Sequence, residues 1–346
     1  MTDTTATTAT TATTGRMPAE FAAHERTVIC WPSRDDLYGE LMSAAKDAHA
    51  LVARTIGRYE PVTIIARPGA DAAEALERCG GSVDVVELPL DDSWFRDSGP
   101  IYVTGAGRRV ATDWIFNGWG EKFVPFDADA QLARRWAEHA GHEVRSVPMV
   151  LEGGSITVDG EGTVVTTAQC LLHPNRNPGL SRSEIESTLS AELGVSVVHW
   201  LPFGLFDDHD TDGHVDNVAA FARPGVLLLQ GCDDAALPDH ERMSANRRWI
   251  EGAPDAAGRP IEVVEIPVLP FTEIGGQRVP VPYLNLYVGN GYVLIPVCGH
   301  AADSEMCMLI GEQFPDRDIV ALDVGAVLAF GGGGIHCITQ QIPVVR

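Results

Sequence analysis

From Met17 onward one arrangement keeps returning along the chain: two short strands joined by a tight turn, an amphipathic helix, then another strand. The clearest copy begins at Ser155, where Ser155 to Val158 and Thr163 to Thr167 flank the hairpin sequence Asp159-Gly160-Glu161-Gly162. A helix follows. Ser181 and Glu184 have capping-box spacing, Ile185, Leu189 and Leu193 recur at helical intervals, and Gly194 suits a helix stop. Val195 to Leu201 then reads as a strand. The order repeats with Val218 to Phe221, Val226 to Leu229, a helix over Asp239 to Ile250, and Ile261 to Ile266. It repeats again with Leu284 to Val288, Tyr292 to Pro296, a helix over Asp303 to Phe314, and Ile319 to Leu322. Ile101 to Val103, Arg109 to Trp114, a helix over Ala128 to Ala140, and Val144 to Val147 form another copy.

A further copy draws on both ends of the chain. Thr27 to Trp31, a helix near Leu37 to Ile56 and Val62 to Ala66 supply most of it, and Ala326 to Phe330 is the strand expected to complete it. A module of this kind leaves one apolar face uncovered, so copies that share architecture stabilise one another by packing side by side. A closed ring of modules follows. The plainer alternative is an ordinary α/β sandwich.

Apolar residues make up 45% of the 346-residue chain and charged residues 21%, enough for an extensive core without an apolar run of membrane length. The formal net charge of -23 disfavours nucleic acid and anionic lipid and favours cationic ligands, although acidity also serves solubility alone. Seven scattered cysteines with no C-x-x-C pair suggest reduced thiols and a cytoplasmic location. Residues 1–16 form a Thr/Ala-rich stretch lacking the basic end and apolar centre of an export signal, and it is expected to be a disordered tail before a single catalytic domain over 17–346.

The unusual polar segments fall mostly just before the first strand of a module. They are Asp91 to Pro100, Glu152-Gly153-Gly154, Thr211 to Asn217, Tyr283-Leu284-Asn285 and Gly331 to Cys337. Equivalent loops of a ring meet near its axis, which would bring these distant residues to one site. The glycines from Gly331 to Gly334 permit close backbone approach and a sharp turn that presents Cys337, with Gly332 expected beside the ligand. His336 adjoins the cysteine, but neighbours on an extended strand point to opposite faces, so His214 is the better partner. Asp216 would share the face of His214 on a strand. A nearby imidazole favours a thiolate and then serves alternately as acid and base. Asp97 and Asp216 match the two sides of a planar guanidinium, whose donors form a fixed fork. Glu152 would orient His214 by accepting its hydrogen bond. The rival reading is a metal site in Asp207, Asp208, His209, Asp210, Asp212, His214 and Asp216, but this run lacks both the calcium-loop pattern and H-E-x-x-H spacing.

With these residues in place the chain resembles the agmatine deiminases, relatives of the bacterial peptidylarginine deiminases within the guanidino-group-modifying pentein superfamily. The likeness is carried by Met17 to Glu20, Ser93 to Pro100, Asp113-Trp114 with Phe116 to Gly120, and Leu151 to Ser155. It continues through Pro174 to Pro178, Asp210 to Asn217 and Ile335 to Gln341. The resemblance implies a five-module α/β propeller of pseudo-fivefold ββαβ repeats around a central active site, working without cofactor or metal. It supports Cys337 as nucleophile, His214 as acid and base, Asp97 and Asp216 as guanidinium clamps, Glu152 beside the histidine and Asn285 in the pocket. It implies thiolate attack on the guanidinium carbon, loss of ammonia and hydrolysis of a thiouronium intermediate. For agmatine the product is N-carbamoylputrescine, a putrescine precursor.

Two positions depart from the family pattern. Gly334 replaces a usual Asn, both residues being tolerant of left-handed conformations. Pro282 to Tyr287 alters the segment around Asn285, which bears on the choice of guanidino substrate. Agmatine carries a second cation and no carboxylate. Trp94 is accordingly expected along its methylene chain, and one of Asp92, Asp207, Asp208 or Asp210 at its ammonium. A peptidylarginine or another guanidino compound is the alternative substrate, binding without catalysis the alternative role, and a homodimer the open question of assembly.

Overall fold

The computed structural model describes residues 15–345. The expected tail therefore lies outside the described residues over 1–14. Its last residue is already tied down, because Arg16 exchanges two backbone hydrogen bonds of 2.9 Å with Thr104.

Five sheets replace the single layered sheet of a sandwich, each with the same internal order. The first strand pairs antiparallel with the second, and the second pairs parallel with a third reached through a helix. Blade I is Ile101–Gly105, Arg108–Ile115 and Glu143–Val150, crossing through the helix Leu132–His139. Blade II is Ile156–Val158, Thr163–Thr167 and Val197–Leu201, with the helix Arg182–Leu193. Blade III is Ala219–Arg223, Val226–Gln230 and Glu262–Ile266, with the helix Asp239–Ile250. Blade IV is Tyr287–Gly289, Tyr292–Pro296 and Asp318–Leu322, with the helix Asp303–Gly311.

Blade V closes the ring and corrects the reading of the C-terminal segment. Ala326 to Phe330 is not a strand. It lies in the helix Gly325–Phe330, and the closing strand is Thr339–Pro343, antiparallel to His24–Cys30. A short apolar run has no period that separates strand from buried helix, which explains the misreading. His24–Cys30 pairs parallel with Val62–Ala66 across the helix Met42–Ile56. A second crossover helix, Ala70–Cys79, adds the strand Asp84–Glu87. The hairpin Phe271–Ile274 and Gln277–Pro280, between blades III and IV, is a further element that the sequence reading lacks.

The apolar cores show how the ring holds together. The crossover helix of blade II buries Ile185, Leu189 and Leu193 in one cluster with Trp200 of its own blade and Ile101, Val103 and Trp114 of blade I. Phe95 and Trp136 of blade I join Val28 and Ile342 of blade V in another. Each fully buried Leu or Ile contributes roughly 1.5–3 kcal/mol, and here that contribution depends on the adjoining blade. The first strands lie innermost, since those of blades II and III, and of blades V and I, are in contact.

The predicted helix start at Ser181 is present in full. Ser181 Oγ accepts the Glu184 backbone N–H at 3.4 Å, and Glu184 Oε2 accepts the Ser181 N–H at 2.7 Å. Gly194 ends the helix in a left-handed conformation with φ 68°. Ser181→Ala is expected to cost about 1 kcal/mol of stability, seen as a lower midpoint in a urea titration with unchanged slope.

Candidate active site

Each blade places one polar short turn immediately before its innermost strand. Phe95–Ser98 precedes blade I, Gly153–Ser155 blade II, Val215–Asn217 blade III, Asn285 blade IV and Ile335–Ile338 blade V. Asp97, Glu152, Asp216, Asn285 and Cys337 are thus brought together from five separate sheets, and all are buried. Two local expectations change. Residues 215–217 are a 3-10 turn, so Asp216 does not share a strand face with His214. Cys337 and His336 sit in a helical turn, not on an extended strand.

The closeness of the packing is clearest at Gly154. A Cβ there would stand 2.6 Å from His214 Nδ1, 2.8 Å from Asp216 Oδ2 and 2.9 Å from Asp97 Oδ1. Asp97 is held by two donors, the Gly154 N–H to Oδ1 and the Trp119 indole N–H to Oδ2, both at 2.9 Å. His214 Nδ1 lies 3.8 Å from Asp97 Oδ2. The Cys337 thiol approaches Asp216 Oδ2 at 3.4 Å, and Asn285 Nδ2 donates to the sulfur at 3.1 Å. Asn285 Oδ1 meanwhile accepts the backbone N–H of His336 at 3.0 Å and of Cys337 at 3.3 Å, fixing the turn that carries the thiol.

Of the glycine run, Gly332 alone has a positive φ, 97°. Gly334 has φ -145°, so its freedom from a left-handed penalty is not what the site uses. Space is what matters there, because a Cβ at Gly334 would collide with Asn285 Oδ1. Gly333 has the same role toward Trp94, whose ring would be 2.5 Å from such a Cβ.

A cavity of about 320 Å³ opens onto the sulfur, bounded by Trp94, Asp97, Trp119, Phe123, Asp210, Gly332 and Cys337 among others. Of the four aspartates considered for a ligand's far end, Asp210 borders it. Asp92 is a structural residue: its Oδ2 binds Arg34 Nε at 2.7 Å. Asp208 organises the turn, accepting from Thr211 Oγ1 at 2.6 Å and from the His214 backbone N–H at 3.1 Å. Asp207 is exposed and does not border this cavity. Glu152 stands beside His214, but its Oε1 takes the Arg176 Nε at 2.6 Å and its Oε2 has no hydrogen-bond partner. Glu152, Cys170 and His214 bring their functional atoms within 4.8 Å of one another and are, among the described residues, the group with metal-ligand chemistry. The Arg176 guanidinium at Glu152 already supplies a positive charge there.

Burial pushes the Cys337 thiol well above the ordinary range, and the Asp216 and Asp97 charges push it further. Both effects favour the protonated thiol. Burial opposes charge on His214, yet Asp97, Cys170 and Glu152 together hold its pKa well above the usual imidazole value. The carboxylates diverge. Burial raises Asp97, with Asp216 and Glu152 adding to it, whereas hydrogen bonding and charge from His336, with His214, overcome burial to lower Asp216. A cation entering between them favours the ionised form of both carboxylates and of the thiol.

Sequence reasoning assigns no role to Trp119, Arg176, Cys170, Glu20 or His336. Trp119 adopts φ 55° and ψ 42°, a costly conformation for an aromatic residue, and its indole is thereby aimed at Asp97. The glycines on either side of it, Gly118 and Gly120, are the available signal.

A buried thiol, an imidazole and two carboxylates are gathered within a five-bladed α/β ring, an arrangement suited to an enzyme that acts on planar nitrogen cations. Residues 16–343 match the Porphyromonas-type peptidyl-arginine deiminase family, and the chain belongs to that family. A relative from Streptomyces coelicolor is 45% identical, covering 95% of this chain and 98% of its own. The agmatine deiminase of Stutzerimonas stutzeri is 40% identical over 94% of this chain and 95% of its own. The solved agmatine deiminase of Enterococcus faecalis superposes with a TM-score of 0.92 at 31% identity, covering 95% of this chain and 96% of that one. The fold is accordingly the pentein propeller.

Gly154→Ala is expected to leave the circular dichroism spectrum intact and to lower turnover by about 10²-fold, because misplacing reactive groups by an ångström costs that much.

Proposed function

We propose that this chain is an agmatine deiminase, converting agmatine and water to N-carbamoylputrescine and ammonia. The observation that carries this reading is the pair of buried carboxylates, Asp97 and Asp216, beside the thiol, with the exposed Asp210 joining Asp97 and Cys337 on a cavity whose lining contains no Lys or Arg. Agmatine has a guanidinium at one end and an ammonium at the other, whereas free arginine would require a cation for its carboxylate. Trp94 and Phe123 offer apolar surface for the methylene chain between them.

Asp97 and Asp216 hold the guanidinium flat against the sulfur. Its positive charge offsets the two carboxylates that raise the thiol pKa, so substrate binding itself promotes ionisation. The thiolate then adds to the guanidinium carbon. His214, charged at rest, gives its proton to the departing nitrogen, and ammonia leaves a thiouronium attached to Cys337. The neutral imidazole next removes a proton from water as its oxygen attacks the same carbon. The thiolate departs, the hydroxyl proton of the intermediate is lost to restore the thiol, and the neutral ureido product remains. Seven cysteines, none of them in a disulfide, support placement in the cytoplasm, and no helix among the described residues is long and apolar enough to cross a membrane.

Cys337→Ala is expected to abolish ammonia release while retaining agmatine binding by calorimetry; turnover at the parent rate would exclude Cys337 as nucleophile. Asp97→Asn should weaken both, with kcat/KM lower by at least ~10²-fold, since an unmatched buried charge costs about 3 kcal/mol. In a panel of agmatine, arginine, a peptidylarginine and methylated arginines scored for ureido product, agmatine should have the largest kcat/KM. Preference for arginine or a peptidylarginine would refute the substrate assignment.

The raised thiol pKa sets an expectation for pH. Without ligand, Cys337 should react slowly with iodoacetamide near neutrality, its rate climbing only above the ordinary thiol range. A plateau below pH ~8 would contradict a protonated resting thiol.

A further inference from the structure

Behind Asp216 lies a second cavity, of about 520 Å³, which has no lining residue in common with the one that holds Trp94 and Cys337. Glu20, Arg96, Asp216, His336 and Gln341 form its polar wall. A continuous chain of charges runs along that wall. Arg96 Nη2 donates to Glu20 Oε2 at 3.0 Å, His336 Nε2 lies 2.8 Å from the same oxygen, and His336 Nδ1 lies 2.9 Å from Asp216 Oδ2. Both ring nitrogens of His336 therefore face carboxylate oxygens. An ionised carboxylate only accepts, so both nitrogens must carry protons, which makes the ring an imidazolium.

The anchors of this chain come from separate parts of the ring. Glu20 Oε1 also accepts the Val288 backbone N–H at 2.8 Å, and Arg96 Nη1 donates to Gln341 Oε1 at 2.9 Å. At the other end, Asp216 Oδ2 receives both the imidazolium and the Cys337 thiol, while Oδ1 is buried with no hydrogen-bond partner.

We propose that His336, anchored by Glu20, is a positioning residue that ties down Oδ2 of Asp216 and thereby presents Oδ1 to the substrate guanidinium. This rests on the guanidino-binding reading of the site. The charges on every side of His336 agree with it. Burial and the Arg96 cation oppose a proton on the ring, and Glu20 and Asp216 overcome both to raise its pKa. Burial likewise opposes charge on Glu20, but His336 and Arg96 hold it down at about 2. A neutral donor would fix one oxygen without balancing the charge of Asp216 and Glu20.

The sign of the pH effect follows. Cation binding needs ionised Asp216, so it is present above that group's pKa and lost as pH falls through it. Removing the imidazolium raises the pKa and moves the loss to higher pH.

The test measures guanidinium-ion and agmatine affinity by calorimetry across pH ~3 to 9, in the Cys337→Ala background, with His336→Ala, His336→Asn and Glu20→Gln added singly. His336→Ala should weaken both ligands about tenfold near neutrality and shift the acid loss upward by about one pH unit. His336→Asn, which retains a donor toward Asp216, should recover part of the affinity, and the nearly isosteric Glu20→Gln should shift the acid loss in the same direction by less. In the active enzyme the His336→Ala defect should appear in KM more than in kcat. Unchanged affinity and pH dependence in His336→Ala, or a lowered melting temperature with the parent pH profile, would overturn the proposal. Guanidinium binding that responds as expected in an enzyme inert toward agmatine would instead sink the substrate assignment and leave the role of His336 standing.

Discussion

The structure is organised around two negative groups, Asp97 and Asp216, buried on either side of one small space. Isolated, each would be strongly penalised for losing water. Here each is offset by fixed donors: the Gly154 amide and Trp119 indole for Asp97, the His336 imidazole for Asp216. Oδ1 of Asp216 is left without a hydrogen-bond partner, an acceptor that suits a flat cation with donors on both edges. Burial and the charges of Asp216 and Asp97 raise the Cys337 thiol, so in the proposed chemistry cation binding and thiol ionisation are one event.

This coupling depends on supports that do not border the Cys337 cavity. Asn285 joins the sulfur of Cys337 to Asn217 of the neighbouring blade, through hydrogen bonds of 3.1 and 2.9 Å. Arg176 neutralises Glu152 and reaches Asp212 at 2.9 Å, linking the turn that carries His214 to blade II. Because each blade supplies one member and each core is shared between neighbours, a displaced blade would disturb the site before it unfolded the ring.

Much of this architecture is legible in the sequence because local signals coincide with global ones. The hairpin at Asp159 to Gly162 and the capping box at Ser181 and Glu184 are formed where their residue types require them. The placement of polar segments before innermost strands is equally readable, since a ring gives equivalent loops equivalent destinations. What escapes is whatever depends on the third dimension. Ala326 to Phe330 is apolar in either a helix or a strand, and the packing against its neighbours decides. Asp92 looks like a ligand group, but Arg34, distant in sequence, pairs with it. Strand geometry argues against His336, whereas the helical turn at Ile335–Ile338 directs its ring toward Asp216.

Blade V joins sequence positions from opposite ends of the fold through the antiparallel pairing of His24–Cys30 with Thr339–Pro343. During translation the strand His24–Cys30 leaves the ribosome among the first, while the turn bearing Cys337 and its strand emerge last of the five blades. The carboxylates, the imidazole and Asn285 are therefore made before Cys337 exists to meet them. In the proposed chemistry a nascent chain without that turn is inert, and pairing of the strand Thr339–Pro343 both seals the ring and completes the site.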